Sequence, residues 1–130
     1  MRILVCGGRD YKDNLNVYSW LTRLFNPLYP NDIGGEAGTW MPRPDLFLIL
    51  GGARGVDSFA EDWAVVNWVQ YKVYKADWDL HGKKAGIIRN IQMLEEGKPD
   101  LVIAFPGSRG TDHMKQTARK RKVPVLEIYE

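Results

Sequence analysis

The chain is expected to fold as a single α/β domain of the Rossmann-like, doubly wound type, around a mainly parallel five-stranded sheet. Three observations carry that expectation. Short apolar runs alternate with longer amphipathic ones along the sequence, the mark of a sheet covered by helices on both faces. Three of the five short runs are continuously apolar, as strands buried on both sides must be. And three of them run straight into glycine-rich loops.

The elements follow in order. Ile3 to Cys6 reads as the first strand, ending in Gly7-Gly8. Asn14 to Phe25 has Leu15, Tyr18, Leu21, Leu24 and Phe25 near helical spacing, with Asp13 or Asn14 as cap. Residues 26–44 carry four prolines and three glycines, and read as an irregular loop in which Trp40 and Met41 are available to a body or partner surface. Leu46 to Leu50 is the second strand, Val56 to Gln70 a helix, and Tyr71 to Ala76 the third strand. Lys83 to Glu96 is a helix bounded by Gly82 and Gly97, Leu101 to Phe105 the fourth strand, Thr111 to Lys122 a helix, and Val123 to Tyr129 the fifth strand. Right-handed crossovers are expected, and the order chosen, 3-2-1-4-5, puts the topological switch between the first and fourth strands.

Composition narrows the function. The chain has 130 residues, enough for one domain with a core of its own. A net charge of +2 demands no polyanionic partner. The one cysteine, Cys6, excludes an internal disulfide and a cysteine-built zinc site, and fits a reducing, cytoplasmic setting. No apolar run approaches a membrane span, and the opening MRILVCGG reads as a strand rather than a secretion signal. His81 and His113 are too few and too separated for a metal site, and no motif calls for a cofactor.

The glycines point to the chemistry. Gly7-Gly8-Arg9-Asp10 follows the first strand, Gly51-Gly52-Ala53-Arg54-Gly55-Val56-Asp57 the second, and Pro106-Gly107-Ser108-Arg109-Gly110-Thr111 the fourth. In the chosen order these loops are neighbours at the carboxyl edge, where open α/β sheets bind ligands. Glycine lets backbone N–H groups approach an anion, a following helix adds its dipole, and Arg9, Arg54 and Arg109 each supply a guanidinium. Each loop alone is more often just a tight turn; three with an arginine apiece favour an anionic ligand. Asp57 is either a helix cap or a carboxylate for ribose hydroxyls, and Thr111 a cap or a phosphate contact. Trp78 either packs in the core or stacks on a base, and His81 is available for acid–base work. Arg89 shares a helix stripe with Gly86, Asn90 and Met93, close to that loop. The basic stretch Lys115 to Lys122 reads first as a helix C-terminus complementing its dipole and second as a nucleic-acid patch.

Taken together, the blocks CGGRDY, GGARGVDSFAEDWA, ADWDLHGKKAGIIRN and PDLVIAFPGSRGTDHM, in that order, resemble the SLOG superfamily, and within it the YspA-like, cpYpsA-related branch of bacteria and phages. The resemblance covers nearly all of the chain outside 26–44. It implies a Rossmann-like fold that binds nucleotides or nucleotide-derived ligands, with relatives that include the LOG phosphoribohydrolases, DprA-type single-strand DNA binders and nucleotide-signal sensors. It also implies a phosphate loop at Gly107–Thr111, completed by Gly51–Asp57 and Arg89, and a homo-oligomer. One departure bears on catalysis: LOG enzymes carry P-G-G-x-G-T-x-x-E, whereas here Ser108 replaces the second glycine and Met114 the glutamate. The expected partner is therefore a nucleotide-like small molecule. N-glycosidic cleavage would fall to Asp112 or Asp57 with Arg89; the alternatives are a non-catalytic sensor and, last, single-stranded DNA binding.

Overall fold

The computed structural model describes residues 1–25 and 45–129; the expected loop at 26–44, with Trp40 and Met41, lies outside them. Five parallel strands, β1 (Arg2–Cys6), β2 (Phe47–Leu50), β3 (Gln70–Val73), β4 (Leu101–Ala104) and β5 (Val125–Glu127), form one sheet in the order β3-β2-β1-β4-β5. The helices are α1 (Asn14–Phe25), α2 (Val56–Val66), α3 (Trp78–His81), α4 (Ala85–Gly97) and α5 (Arg109–Lys120), with a 3-10 turn at Gly82–Lys84 between α3 and α4. Both the fold class and the strand order match the expectation from sequence.

The strand alternation separates two cores. Ile3, Val5, Leu48, Leu50 and Ile103 face one side, where α1 and α2 cover them with Val17, Leu21, Ala60 and Trp63. Leu4, Cys6, Ile49, Val102 and Ala104 face the other, under Met93 and Leu94 of α4 and Met114 and Ala118 of α5. Each fully buried aliphatic side chain stabilises the fold by roughly 1.5–3 kcal/mol, so the central strands hold both layers at once. Trp63 is buried without leaving its indole N–H idle: Nε1 donates to Thr22 Oγ1 at 3.0 Å and ties α2 to α1. The edge strand β3 alternates exposed and half-buried residues, as expected of a sheet margin.

Several boundaries move. The second helix stops at Val66 rather than Gln70, because Asn67 turns its amide back to Trp63 O at 2.8 Å and Trp68 takes a positive φ of 57°. Strand β3 consequently starts at Gln70 and ends at Val73. The segment after it, expected as loop as far as Gly82, forms α3 with Asp77 as its cap: Asp77 Oδ1 accepts from Leu80 N at 3.0 Å. Helix α4 begins at Ala85 and ends where Lys98 adopts the left-handed conformation. Helix α5 starts two residues early, taking Arg109 and Gly110 out of the loop. Asp13 caps α1 through Asn16 N at 3.0 Å, as one reading of the sequence had it.

Glycine is obligatory where α2 meets the β1 loop. Gly55 has φ 78°, and a Cβ there would stand 2.3 Å from the Gly8 carbonyl oxygen. Strain and overlap together predict that Gly55→Ala lowers stability by about 2–4 kcal/mol. Urea unfolding checks this, with Gly110→Ala, whose Cβ meets nothing within 4 Å, as a near-neutral control.

Candidate functional site

Helices α1 and α2 leave the sheet on one face and α4 and α5 on the other, so the chain diverges past the carboxyl ends of β1 and β4. A cavity of about 330 Å³ opens there, lined by Gly7, Gly8, Arg9, Ala53, Asp57, Arg89, Asn90, Ser108, Gly110 and Thr111, together with Cys6 and Met93. Its walls are stitched by backbone: Gly8 N donates to Pro106 O at 2.8 Å, and Val56 N donates to Gly8 O at 3.3 Å. Helix α5 enters with no side chain capping its first turn. Its leading N–H groups and the positive end of its dipole therefore remain for an anion.

Opposite that helix end, Arg89 and Asp57 converge on Gly51. Arg89 Nη1 donates to the Gly51 carbonyl oxygen, and its Nε donates to Asn90 Oδ1 at 3.2 Å. A Cβ on Gly51 would lie 2.6 Å from Arg89 Nη1 and 3.0 Å from Asp57 Oδ2. The Asp57 carboxylate accepts from Ala53 N at 3.2 Å. Burial pushes the Asp57 carboxyl up to about 6, against the pull of the Ala53 and Gly51 amides and of the Arg89 charge. Burial likewise lowers the Arg89 pKa, which the charge of Asp57 partly offsets. The Cys6 thiol is raised by burial and by Asp57, and so stays neutral.

Asn90, also buried, joins α4 to α5. Its Nδ2 donates to Gly110 O at 3.1 Å and faces His113 Nδ1 at 3.1 Å. Because Arg89 Nε can only donate, Asn90 Oδ1 is the acceptor and Nδ2 the donor. That leaves the His113 proton on Nε2, which faces Thr117 Oγ1 at 3.3 Å. Burial, then the charge of Lys120, lowers the His113 pKa, in keeping with a neutral ring.

A second cavity of about 400 Å³ adjoins the first and shares Arg9, Ala53 and Arg89 with it. It adds Gly51, Gly52, Arg54, Lys75, Ala76 and Trp78. The Trp78 ring is not in the core but 48% exposed, and the Arg9 guanidinium lies over it at 5.7 Å.

The structure thus sorts the residues singled out in the sequence. Asp57 is not the helix cap: Gly55 holds that position, and the carboxylate serves the loop before it. Thr111 lies in the first turn of α5, buried, rather than capping it, and leaves no room for a side chain on Gly107. Asp112 is exposed, pairs with Lys115 at 3.4 Å and lines neither cavity. Arg109 and His81 are exposed and line neither. Pro106 and Gly55 shape the walls through backbone contacts. Sequence reasoning missed Cys6, Lys75 and Ala76 as lining residues, although Cys6 directly precedes Gly7 and the strand-end rule already pointed past the third strand. In the basic stretch, Lys115 and Arg119 are held by Glu127 at 2.9 and 2.6 Å, and Arg121 by Glu95 at 3.3 Å.

Among the described residues no helix is long and apolar enough to cross a membrane. A family model described as YspA, cpYpsA-related SLOG family matches residues 39–81. The chain is also 36% identical over 137 residues to the "Gene 61 protein" of Mycobacterium phage D29, an alignment that spans 98% of this chain and 95% of the phage protein.

The buried carboxylate has a measurable signature. The folded Asp57 pKa lies above its unfolded value, so the folded state binds that proton more tightly. Its contribution is fully present below pH 3.8 and is lost as pH rises through about 6. The stability of the wild type relative to Asp57→Asn should fall by about 3 kcal/mol across that window. Urea melts of both proteins at intervals of pH give the difference; a flat difference contradicts the burial argument.

Proposed function

The chain belongs to the YspA, cpYpsA-related SLOG family, and on that premise we propose that it binds a phosphate-bearing nucleotide, or a ligand derived from one, at the carboxyl edge of its sheet. The observation that carries the reading is the meeting, in one cavity, of the uncapped α5 N-terminus with Arg9 and Arg89. Helix-end N–H groups and guanidinium forks are the two protein features best matched to phosphate oxygens. The polar lining leaves room for a ribose beside the phosphate, with Asp57 and Asn90 as hydrogen-bonding groups.

Binding without turnover is the primary reading. Met114, at the position where LOG hydrolases carry their glutamate, is 1% exposed and packs in the core beneath α5. The position therefore offers no carboxylate and faces away from the ligand.

One observation favours a second reading, N-glycosidic cleavage. Asp57 is a carboxylate inside the cavity beside Arg89, with a pKa near 6. An ionised Asp57 would activate water toward the anomeric carbon; the C–N bond breaks and the base leaves with a proton. Asp112, the other candidate, lines neither cavity. DNA binding draws less support, because Lys115, Arg119 and Arg121 are each paired with a glutamate.

Calorimetric titration with nucleosides and their 5′-monophosphates tests the main reading. The phosphates should bind and the nucleosides should not, and Arg89→Gln should weaken binding about ten- to hundred-fold. Equal affinity for both, unchanged in the variant, contradicts it. Chromatography of the incubated ligand tests the second: if products form, Asp57→Asn should end turnover and keep binding, and Asp112→Asn should change neither. Native mass spectrometry of the purified protein reports the subunit number, expected above one, together with any retained ligand.

A further inference from the structure

The second cavity, past the carboxyl ends of β2 and β3, is not used by the reading above. Its lining includes four cationic side chains, Arg9, Arg54, Lys75 and Arg89, and no acidic one. Arg54 is engaged by Asp10 at 3.0 Å. Arg9 and Lys75 have no ion pair among the described residues. Arg9 makes a contact of another kind: its guanidinium lies over the Trp78 ring, 5.7 Å from the centroid. The far edge of that ring rests over Gly86, where a Cβ would sit 3.5 Å away. The tryptophan thus offers Arg9 a face to lie against at the boundary of the two cavities, which Arg9 and Arg89 both line.

Like charges gathered this closely repel. After burial and Asp57, Arg9 is the next influence on the Arg89 pKa, and it lowers it. None of the four cations is needed to fill a core. Asp57 offsets Arg89 in the first cavity, and nothing comparable lines the second.

We propose that the second cavity is an anion subsite, and that the ligand of this chain carries two phosphate groups. One sits at the α5 N-terminus and the other between Arg9 and Lys75, which makes the ligand a nucleoside diphosphate or a molecule built on one rather than a nucleoside monophosphate. The inference rests on the first cavity holding phosphate, as argued above. Lys75 then selects the ligand by its second phosphate, while Arg9 and Arg89 bridge the two.

Inorganic phosphate, pyrophosphate and tripolyphosphate test this without knowledge of the base, by two-dimensional 15N NMR titration of the full chain at low salt. Phosphate should shift the amides of Ser108 to Thr111. The longer anions should also shift Gly52 to Arg54 and Lys75, and bind at least about tenfold tighter, as one added charge-assisted contact allows. Lys75→Met should remove that gain while leaving the phosphate affinity within about twofold. Lys75→Glu should turn the gain into a penalty. Lys75 is exposed, so both substitutions should leave the fold intact. A gain that survives both variants, or no gain in the wild type while phosphate still binds, overturns this inference alone. Gly110 lines the first cavity and has open space where a Cβ would stand, so Gly110→Asp sets a negative charge at that wall and should abolish phosphate binding. Phosphate binding that survives it, or no binding of any of the three anions to the wild type, overturns the reading of the first cavity and this inference with it.

Discussion

The site hangs from strand β1. It is paired on both sides, to β2 and β4, and its residues feed both cores. With Ile3, Leu4 and Val5 fully buried, the strand cannot shift along its axis without turning apolar side chains out of both layers at once. Its end is therefore a fixed point, and the loop Gly7-Gly8 leaves it in the crevice between helices that depart to opposite faces. Gly8 donates to the β4 loop and accepts from α2, so the three glycine loops are referenced to one position. What lines the crevice follows from that: the loops leaving β1, β2 and β4, the first turns of α2 and α5, and the face of α4 that carries Arg89, Asn90 and Met93.

The electrostatics of the crevice are a compromise. A carboxylate as buried as Asp57 is costly, and a guanidinium as enclosed as Arg89 is costly too. Each is tolerated because the other is near and because backbone groups at Ala53 and Gly51 contribute hydrogen bonds. Gly51 has no side chain because two charged groups occupy the space one would fill. Asn90 extends the arrangement by holding Arg89 from behind and tying α4 to the start of α5, so the cation and the helix end that would share an anion are set in one frame.

Much of this was legible in the chain. Apolar runs ending in glycine specified strand ends, and strand ends specify where ligands bind in an open sheet; Arg9 and Asp57 follow from that rule, whereas Arg89 and Asn90 come from the stripe they share on their helix. Side-chain direction was not legible. Arg109 and Asp112 belong to the same loop motif as Ser108 and Gly110, yet the first turn of α5 rotates them outward, because Thr111 and Met114 claim its inner face. His81 was drawn in by its neighbours Trp78 and Gly82, but Asp77 starts a short helix that carries it away. Helix limits failed where side chains rather than periodicity decide them, as at Asn67.

The two margins of the sheet bear on how copies of the chain could meet. At one margin β5 has only three residues, and its Glu127 is drawn onto α5 by Lys115 and Arg119. At the other, β3 carries exposed Gln70 and Lys72, with the Lys72 ammonium over the Tyr74 ring at 4.7 Å. Short length and bound charge make both poor templates for another strand. Among the described residues, neither margin favours extension of the sheet by a second copy. Contact through the helical faces instead would leave each crevice at the rim of its own sheet, with its own opening to solvent.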